Sequence, residues 1–339
     1  MRIFSLCLLC TFFIHDLPTA TASKAIRFTG SAQGTTYHIT YYADDTLVRK
    51  QQIDSIFQKI DSSLSLYQSY SLVSQFNRSE TGIEADEHLL HIVTKGKQVF
   101  RKTRGIFDIT IFPLTDAWGF GPERHSGLPD SGRVKTILSC INTDLIVKNG
   151  NSLIKKKACV QLDPNGIAQG YTVDVIAEFF EKAGIGNFII ELGGEIRVKG
   201  RKPGGEKMSI GIETPGEDAD FSVINKIIYP SSGAITTSGS YRRYYESDGK
   251  RVSHLLDPRT GYPVDNELIS VTVYAKDAIT ADAYDNAIMA MGLKNGLAFV
   301  NRRRELAAHF IYRHSDGSIR DTMSRRFLKL LDSQPQPQP

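Results

Sequence analysis

Cysteine is scarce in this chain. Of the four in 339 residues, Cys7 and Cys10 fall in an N-terminal apolar run, which leaves Cys140 and Cys159, too few for a disulfide scaffold or a cysteine metal site. In an oxidising compartment these two could pair, and the sequence leaves that open. Charge of one sign is equally scarce. With 41 Lys and Arg against 37 Asp and Glu the formal net charge is +4, and no basic stripe alternates with aromatics, so nucleic-acid binding is not indicated. Arg302-Arg303-Arg304 reads as a solvated helix end. Beyond the N-terminus no apolar run is long enough to cross a membrane. What remains is an ordinary globular composition, 41% apolar and 23% charged, with length for one large domain or two intimately packed ones.

The N-terminus has the pattern of an export signal. Met1-Arg2 gives a short positive start, Ile3 to Ile14 is almost unbroken apolar, and small residues follow at Ala20-Thr21-Ala22-Ser23-Lys24-Ala25. The run is too short to span a bilayer and its end resembles a cleavage site after Ala22 or Ala25. We expect residues 1–25 to be a signal peptide, residues 26–330 one domain outside the cytoplasm, and the Gln-Pro tail 331–339 to be disordered. Cys10 as a lipid anchor is disfavoured by the bulky Leu9 and the continuing apolar run.

Along the mature chain, alternation at Ile26 to Tyr42 predicts two β segments joined through Gly30 to Gly34, either an ordinary hairpin or backbone that a ligand approaches closely. Ile53, Ile56, Phe57, Ile60 and Leu64 recur at helical spacing within Val48 to Leu64. Glu87 to Arg104 reads as a second helix, closed by Gly105. The run Phe107-Asp108-Ile109-Thr110 buries an acid that must be hydrogen-bonded. Short strands are expected at Asp144 to Val147, Ser152 to Ile154 and Val160 to Leu162. After Leu162 a turn, Asp163 to Gly170, feeds a helix from Tyr171 to Ala183, the kind of helix start that offers free N–H groups to an anion. Phe188 to Glu191 reads as a buried strand that continues through Gly193-Gly194 to Glu195, and Ser209 to Glu213 and Ile224 to Tyr229 as further strands.

The stretch from Ala234 to Val264 is the most crowded with hydrogen-bonding side chains. It holds Thr236-Thr237-Ser238-Gly239, Arg242-Arg243, a turn at Ser247-Asp248-Gly249, then His254 and Asp257 before Pro258-Arg259-Thr260-Gly261. After a strand at Leu268 to Ala275, a helix from Asp277 to Gly292 places Asp282 and Asn286 one turn apart on one face. Oxygen donors at that spacing suit a hard cation such as Mg²⁺. The alternative is an exposed polar stripe that includes Asp285.

Gly34-Thr35-Thr36-Tyr37, Phe107-Asp108-Ile109-Thr110 with Trp118-Gly119-Phe120, Gly166-Ile167-Ala168-Gln169-Gly170-Tyr171, Leu192-Gly193-Gly194-Glu195, Thr237-Ser238-Gly239, His254-Leu255-Leu256-Asp257-Pro258-Arg259-Thr260-Gly261 and Ala281-Asp282-Ala283 resemble, in this order, the ApbE family of FAD:protein FMN transferases. The likeness spans about Gly30 to Gly292. It implies a Mg²⁺-dependent enzyme that attaches the FMN half of FAD to a Thr, or sometimes Ser, of a partner flavoprotein, releasing AMP; that partner would be an exported flavoprotein or a membrane redox subunit. It also implies roles. Asp282, Asn286 and a main-chain carbonyl near Ala168 would hold Mg²⁺; His254 would be the general base, with Asp257 orienting it or building the turn behind it. Gln33, Thr36 and Tyr37 would lie along the flavin, and Tyr67, Trp118, Asp163, Glu195 and Ser238 would contact FAD or shape its pocket. The chain departs from the family at Gln169, where relatives often have Lys, at Asn286, often Thr, and at Gln33, often Met.

Hydrolysis of FAD to FMN and AMP in the same site, or flavin binding without turnover, are the competing activities. The several antiparallel-looking hairpins argue against a regular parallel sheet. The expected fold is α+β, with two interleaved lobes of mixed or antiparallel sheet and helices and the flavin between them.

Overall fold

Alternation in Lys24–Ala32 (β1) and Thr35–Ala43 (β2) builds an antiparallel hairpin that turns Tyr37, Ile39 and Tyr41 inward. Its two turn residues, Gln33 and Gly34, both have positive φ, 51° and 75°, as a tight primed turn requires. This computed structural model describes residues 23–122, 127–215, 222–240, 244–247 and 250–331. The signal peptide, Arg242-Arg243, the Asp248-Gly249 turn and the Gln-Pro tail lie outside the described residues, apart from the few residues at the inner edges of signal and tail.

Lys50–Leu64 (α1) buries Ile53, Phe57, Ile60 and Leu64, the stripe its spacing predicts. Leu72–Arg78 (α2) follows, capped by Ser71, whose hydroxyl accepts from Ser74 N. Gly82–Glu84 (β3) leads to Glu87–Thr103 (α3), which Asp86 caps and which ends in two left-handed residues, Arg104 and Gly105. Phe112–Ala117 (α4) starts with Pro113 in its first turn, and Ser131–Leu138 (α5) is capped by Asp130. Ile146–Asn149 (β4) and Ser152–Lys155 (β5) join β3 in a small sheet of order β3-β5-β4. The strand expected at Val160 to Leu162 is only an isolated bridge between Gln161 and Ile111.

Ala168–Lys182 (α6) precedes Phe188–Leu192 (β6) and Glu195–Lys199 (β7). Here the expectation of one strand running through the glycines is corrected: Gly193 (φ 64°) and Gly194 (φ 108°) reverse the chain, and β6 and β7 pair antiparallel. Ile210–Pro215 (β8) and Ser222–Ile228 (β9) form a separate hairpin. Ser232–Gly239 (β10) is followed by Tyr244–Ser247 (β11) and Lys250–Ser253 (β12), which pair antiparallel. Leu268–Ala275 (β13) leads into Ala278–Asn301 (α7), interrupted at Gly292 (φ 72°, ψ 170°), where the sequence predicts a helix end. Ala307–Arg313 (β14), Ile319–Met323 (β15) and Arg325–Leu331 (α8) complete the chain.

The large sheet runs β1-β2-β6-β7-β10-β13-β14-β15, and every pairing in it is antiparallel. The fold is α+β. Helices α1, α6 and α7 pack on one face of the sheet. Its other face is covered by the β8–β9 hairpin and α8, through Met208, Ile210, Ile228 and Phe327. No helix among the described residues is long and apolar enough to cross a membrane.

Cys140 and Cys159 are disulfide-bonded, tying the turn after α5 to the segment entering Gln161. Because the bond closes a loop of 19 residues in separation, replacing both cysteines with serine is expected to cost about 3 kcal/mol of stability. Urea denaturation of the two proteins checks this, the variant unfolding at lower denaturant.

Candidate active site

The site begins with the crossing of α6 and α7. Asp277 caps α7 by accepting from Thr280 N at 3.0 Å. Asp174 on α6 accepts from two further free N–H groups, Ala278 at 2.9 Å and Ile279 at 2.8 Å. Arg197 on β7 completes the knot with an ion pair to Asp174, Nε to Oδ1 3.2 Å. One turn earlier on α6 the helices almost touch: a Cβ on Gly170 would stand 2.5 Å from the Ala278 carbonyl oxygen and 2.8 Å from Asp282 Cβ. Only glycine fits there, and its N–H donates to Asp282 Oδ2 at 2.9 Å.

Asp282 and Asp285 are 4% and 1% exposed. The exposed polar stripe is therefore excluded. Burial pushes the Asp282 carboxyl up to about 7; the Gly170 N–H opposes the rise and the charge of Asp174 adds to it. Burial, and after it the charge of Asp282, raises Asp285 well above the ordinary carboxylate range. Asn286 donates from Nδ2 to the Asp282 carbonyl at 3.0 Å and lies 3.4 Å from the Gly166 carbonyl oxygen, while its Oδ1 accepts from Ser238 Oγ at 3.3 Å. The main-chain oxygen brought to Asn286 is thus that of Gly166. The Ala168 carbonyl accepts the Thr172 hydroxyl at 2.7 Å.

These groups face a cleft of about 320 Å³. Its other walls are Ile106 to Asp108, Thr115 and Phe120; Asp163, Asn165 and Gln169 ahead of and on α6; Glu195 after the β6–β7 turn; and His254 to Leu256. Asp163 accepts from Asn165 N at 3.0 Å and from the Thr115 hydroxyl at 2.9 Å, which shapes the turn into α6. Asp108 has structural partners: Thr110 and Thr143 each give it a backbone N–H and a hydroxyl. His254 is partly exposed, with the Phe120 ring edge-on at 6.3 Å. Behind it, Asp257 takes Nε and Nη2 of Arg259 at 2.9 and 2.6 Å and the Arg259 N–H at 2.9 Å. Of its two expected roles, Asp257 builds the turn. Burial works against its charge, but Arg259 more than offsets this and holds the carboxyl below its usual range.

Asp163, Glu195, Ser238, His254, Asp282 and Asn286 therefore share one cleft, as the resemblance implies. Other expected residues do not line it. Tyr37 is buried between β2 and α1, its hydroxyl donating to Asp54 at 3.2 Å and its ring against Phe57, so the expectation that it lies along the flavin is corrected. Trp118 is likewise a core residue, donating to the Gly261 carbonyl at 2.8 Å and packing with Leu114, Val134 and Leu256. Gln33, held to the Thr172 hydroxyl at 3.0 Å, and the exposed Thr36 sit at the β1–β2 turn, and Tyr67 is 63% exposed. The sequence reading missed Thr115, Phe120 and Asp285 as cleft residues. Asp285 carried a usable signal, since it lies three residues after Asp282 and so on its face of the helix.

Among the described residues no three His, Cys, Asp or Glu side chains cluster as a preformed metal site. The ligands expected from Asp282, Asn286 and the main chain near Ala168 are nevertheless all oxygens, as Mg²⁺ requires, and Asp285 Oδ1, buried, has no hydrogen-bond partner. The residues fit a hard cation.

A model of the ApbE family matches residues 33–310. The chain belongs to the ApbE family. Among its ApbE relatives, the FAD:protein FMN transferase of Vibrio cholerae O1 is 34% identical over 302 residues, 87% of this chain and 90% of that one. The FAD:protein FMN transferase of Salmonella typhimurium is 33% identical over 328 residues, 93% and 92% of the two chains. The solved flavin transferase ApbE of Vibrio cholerae superposes with a TM-score of 0.82 at 32% identity, covering 91% of this chain and all 100% of that one. The apo flavinyl transferase ApbE of Pseudomonas stutzeri gives 0.82 at 32% identity, covering 93% and 99%.

For this ApbE chain the helix crossing sets a stringent test. Gly170→Ala is expected to lower stability by about 1–3 kcal/mol, as overpacking does, and to displace Asp282, so that divalent-cation binding weakens in protein that is still folded. Denaturation midpoints and a cation titration on the same preparation check both.

Proposed function

We propose that this chain is a Mg²⁺-dependent FAD:protein FMN transferase that moves FMN from FAD to a Thr, or Ser, hydroxyl of an exported or membrane flavoprotein and releases AMP. The observation that carries the reading is that His254 and the Asp282–Asn286 pair, from separate elements, line one cleft. A protein that merely stored flavin would need neither.

His254 would accept the proton of the acceptor hydroxyl as its oxygen bonds to the phosphorus on the FMN side. The bond from that phosphorus to the bridging oxygen breaks, and AMP leaves with the electron pair. Asp282, Asn286 and a main-chain carbonyl near Ala168 would hold Mg²⁺, whose charge would neutralise the pyrophosphate and polarise the phosphorus. Asp257 and Arg259 keep the His254 loop in place, and Trp118 fastens its far end through Gly261. The Cys140–Cys159 bond supports a location in an oxidising compartment, in keeping with the apolar N-terminal run.

The test is AMP release from FAD with Mg²⁺, with and without a domain bearing an acceptor Thr, alongside mass spectrometry of that domain. Expected are AMP and FMN-modified Thr together, a loss of about 10²–10⁴-fold in rate for His254→Ala, and no Mg²⁺-stimulated turnover for Asp282→Ala. Equal AMP and free FMN without acceptor would make the enzyme a hydrolase. Tight FAD binding with no AMP under either condition would make it a flavin carrier.

A further inference from the structure

Lys155, the last residue of β5, is 7% exposed, and its ammonium faces carbonyls. Nζ donates to the Ser79 carbonyl at 2.7 Å, with those of Ala158 and Asn77 at 3.4 and 3.5 Å, and stands 4.7 Å from the centre of the Phe76 ring. Three donors thus meet three acceptors. Burial pushes the ammonium down to about 8, so below that pH the fold carries the cost of a buried charge. A group held against that cost points to a task beyond stability, and its partners show which. They are the end of α2 and the segment that leads towards the cleft.

Asn77 makes the link. Its Oδ1 accepts the Leu162 N–H at 2.6 Å and its Nδ2 donates to the Leu162 carbonyl at 2.9 Å, while its own carbonyl accepts from Gln161 Nε2 at 3.2 Å. One amide side chain therefore engages both backbone groups of one residue, as a neighbouring strand would. Residues 160–162 have no such strand beside them, only the bridge at Gln161. The next residue is Asp163, which lines the cleft and, through Asn165 N and the Thr115 hydroxyl, shapes the turn to Gly166. Asn77 and Lys155 are not in the lining and act through that turn.

We propose that Asn77, steadied by Lys155, is a positioning residue for FAD: it sets where the 163–166 turn meets the dinucleotide. The inference deepens the transferase reading and rests on it for the ligand. His254 stands on a separate loop, held through Asp257, Arg259 and Trp118. Loss of the Asn77 side chain therefore weakens FAD binding and leaves proton transfer in place.

The test follows AMP release against FAD concentration with Mg²⁺ and an acceptor domain, alongside FAD binding read by flavin fluorescence. Asn77→Ala is expected to raise KM for FAD about tenfold, as the loss of two hydrogen bonds predicts, with kcat within about twofold. Lys155→Met, which leaves the Asn77 side chain in place, is expected to raise KM about threefold; an unchanged KM there would strike Lys155 from the assignment. A residue that served the fold alone would lower the denaturation midpoint and leave KM of the folded enzyme unchanged, and that result for Asn77→Ala overturns the proposal. So does a fall in kcat at constant KM. Should the alanine variant fail to fold, Asn77→Asp, which keeps the acceptor for the Leu162 N–H, decides by the same split. If the natural protein binds FAD but releases no AMP, the reaction assignment falls, and a weakened FAD affinity in Asn77→Ala still carries the positioning role.

Discussion

A carboxylate that is 4% exposed has little water to turn to, and for Asp282 the hydrogen-bond donor is the backbone N–H of Gly170, 2.9 Å away. That one bond dictates how closely α6 and α7 approach. No side chain fits at position 170, so the helices cross with backbone against side chain, and Asp174 and Arg197 lock the crossing one turn further on. The turn that feeds α6 is fixed by the same contact. Asp163, Asn165 and Gly166 therefore face the α7 oxygens because α6 cannot slide along α7, and the cleft exists as a consequence of a helix contact.

The opposite half of the site answers to a different constraint. The chain from His254 to Val264 is a loop whose backbone groups need partners, and it finds them internally: Asp257 N–H to the Tyr262 carbonyl, Gly261 N–H to the Asp257 carbonyl, Val264 N–H to the Leu255 carbonyl. Arg259 neutralises Asp257, and Trp118 reaches across to the Gly261 carbonyl, while a Cβ on Gly261 would strike Val134 at 2.5 Å. His254 is thus presented by a rigid loop on α4 and α5. The conspicuous residues of this block, Asp257, Arg259 and Gly261, serve its geometry.

Much of this was legible beforehand, for identifiable reasons. The helices α1 and α3 announce themselves because a single buried stripe at 3.6-residue spacing dominates their sequences, whereas α7 is buried nearly all round; the spacing of Asp282 and Asn286 follows from the helical period alone. The Gly193-Gly194 turn was misread because glycine in a strand and glycine in a tight hairpin look alike until the pairing partner is known. Tyr37 looks like a flavin contact in sequence because aromatic rings serve cores and ligands equally well, and only its neighbour Phe57 distinguishes the two; Trp118, bonded to the Gly261 carbonyl and packed with the cleft residue Leu256, fits the reading in which it shapes the pocket. Asp285 was hidden by the opposite ambiguity. An acid on a helix is ordinarily solvated, and nothing local tells that β10 and β7 close over this one.

The wall formed by residues 106–111 and 160–163 has no regular sheet behind it; it is held by the bridge between Ile111 and Gln161, by the bond from Asp163 N to the Ile109 carbonyl at 2.7 Å, and by Asn77 on α2, which accepts the Leu162 N–H at 2.6 Å and donates to the Leu162 carbonyl at 2.9 Å. Two further ties add to these. Asp108 gathers four donors from Thr110 and Thr143, and the disulfide anchors Cys140, three residues ahead of Thr143, to Cys159, just ahead of Gln161. Covalent bond, threonine and carboxylate thus act in series to hold Phe107 and Asp108 at the cleft. The α6–α7 side of the cleft is secured by packing that survives in any redox environment, whereas this opposite wall is tied in part by a bond that persists only where oxidants prevail.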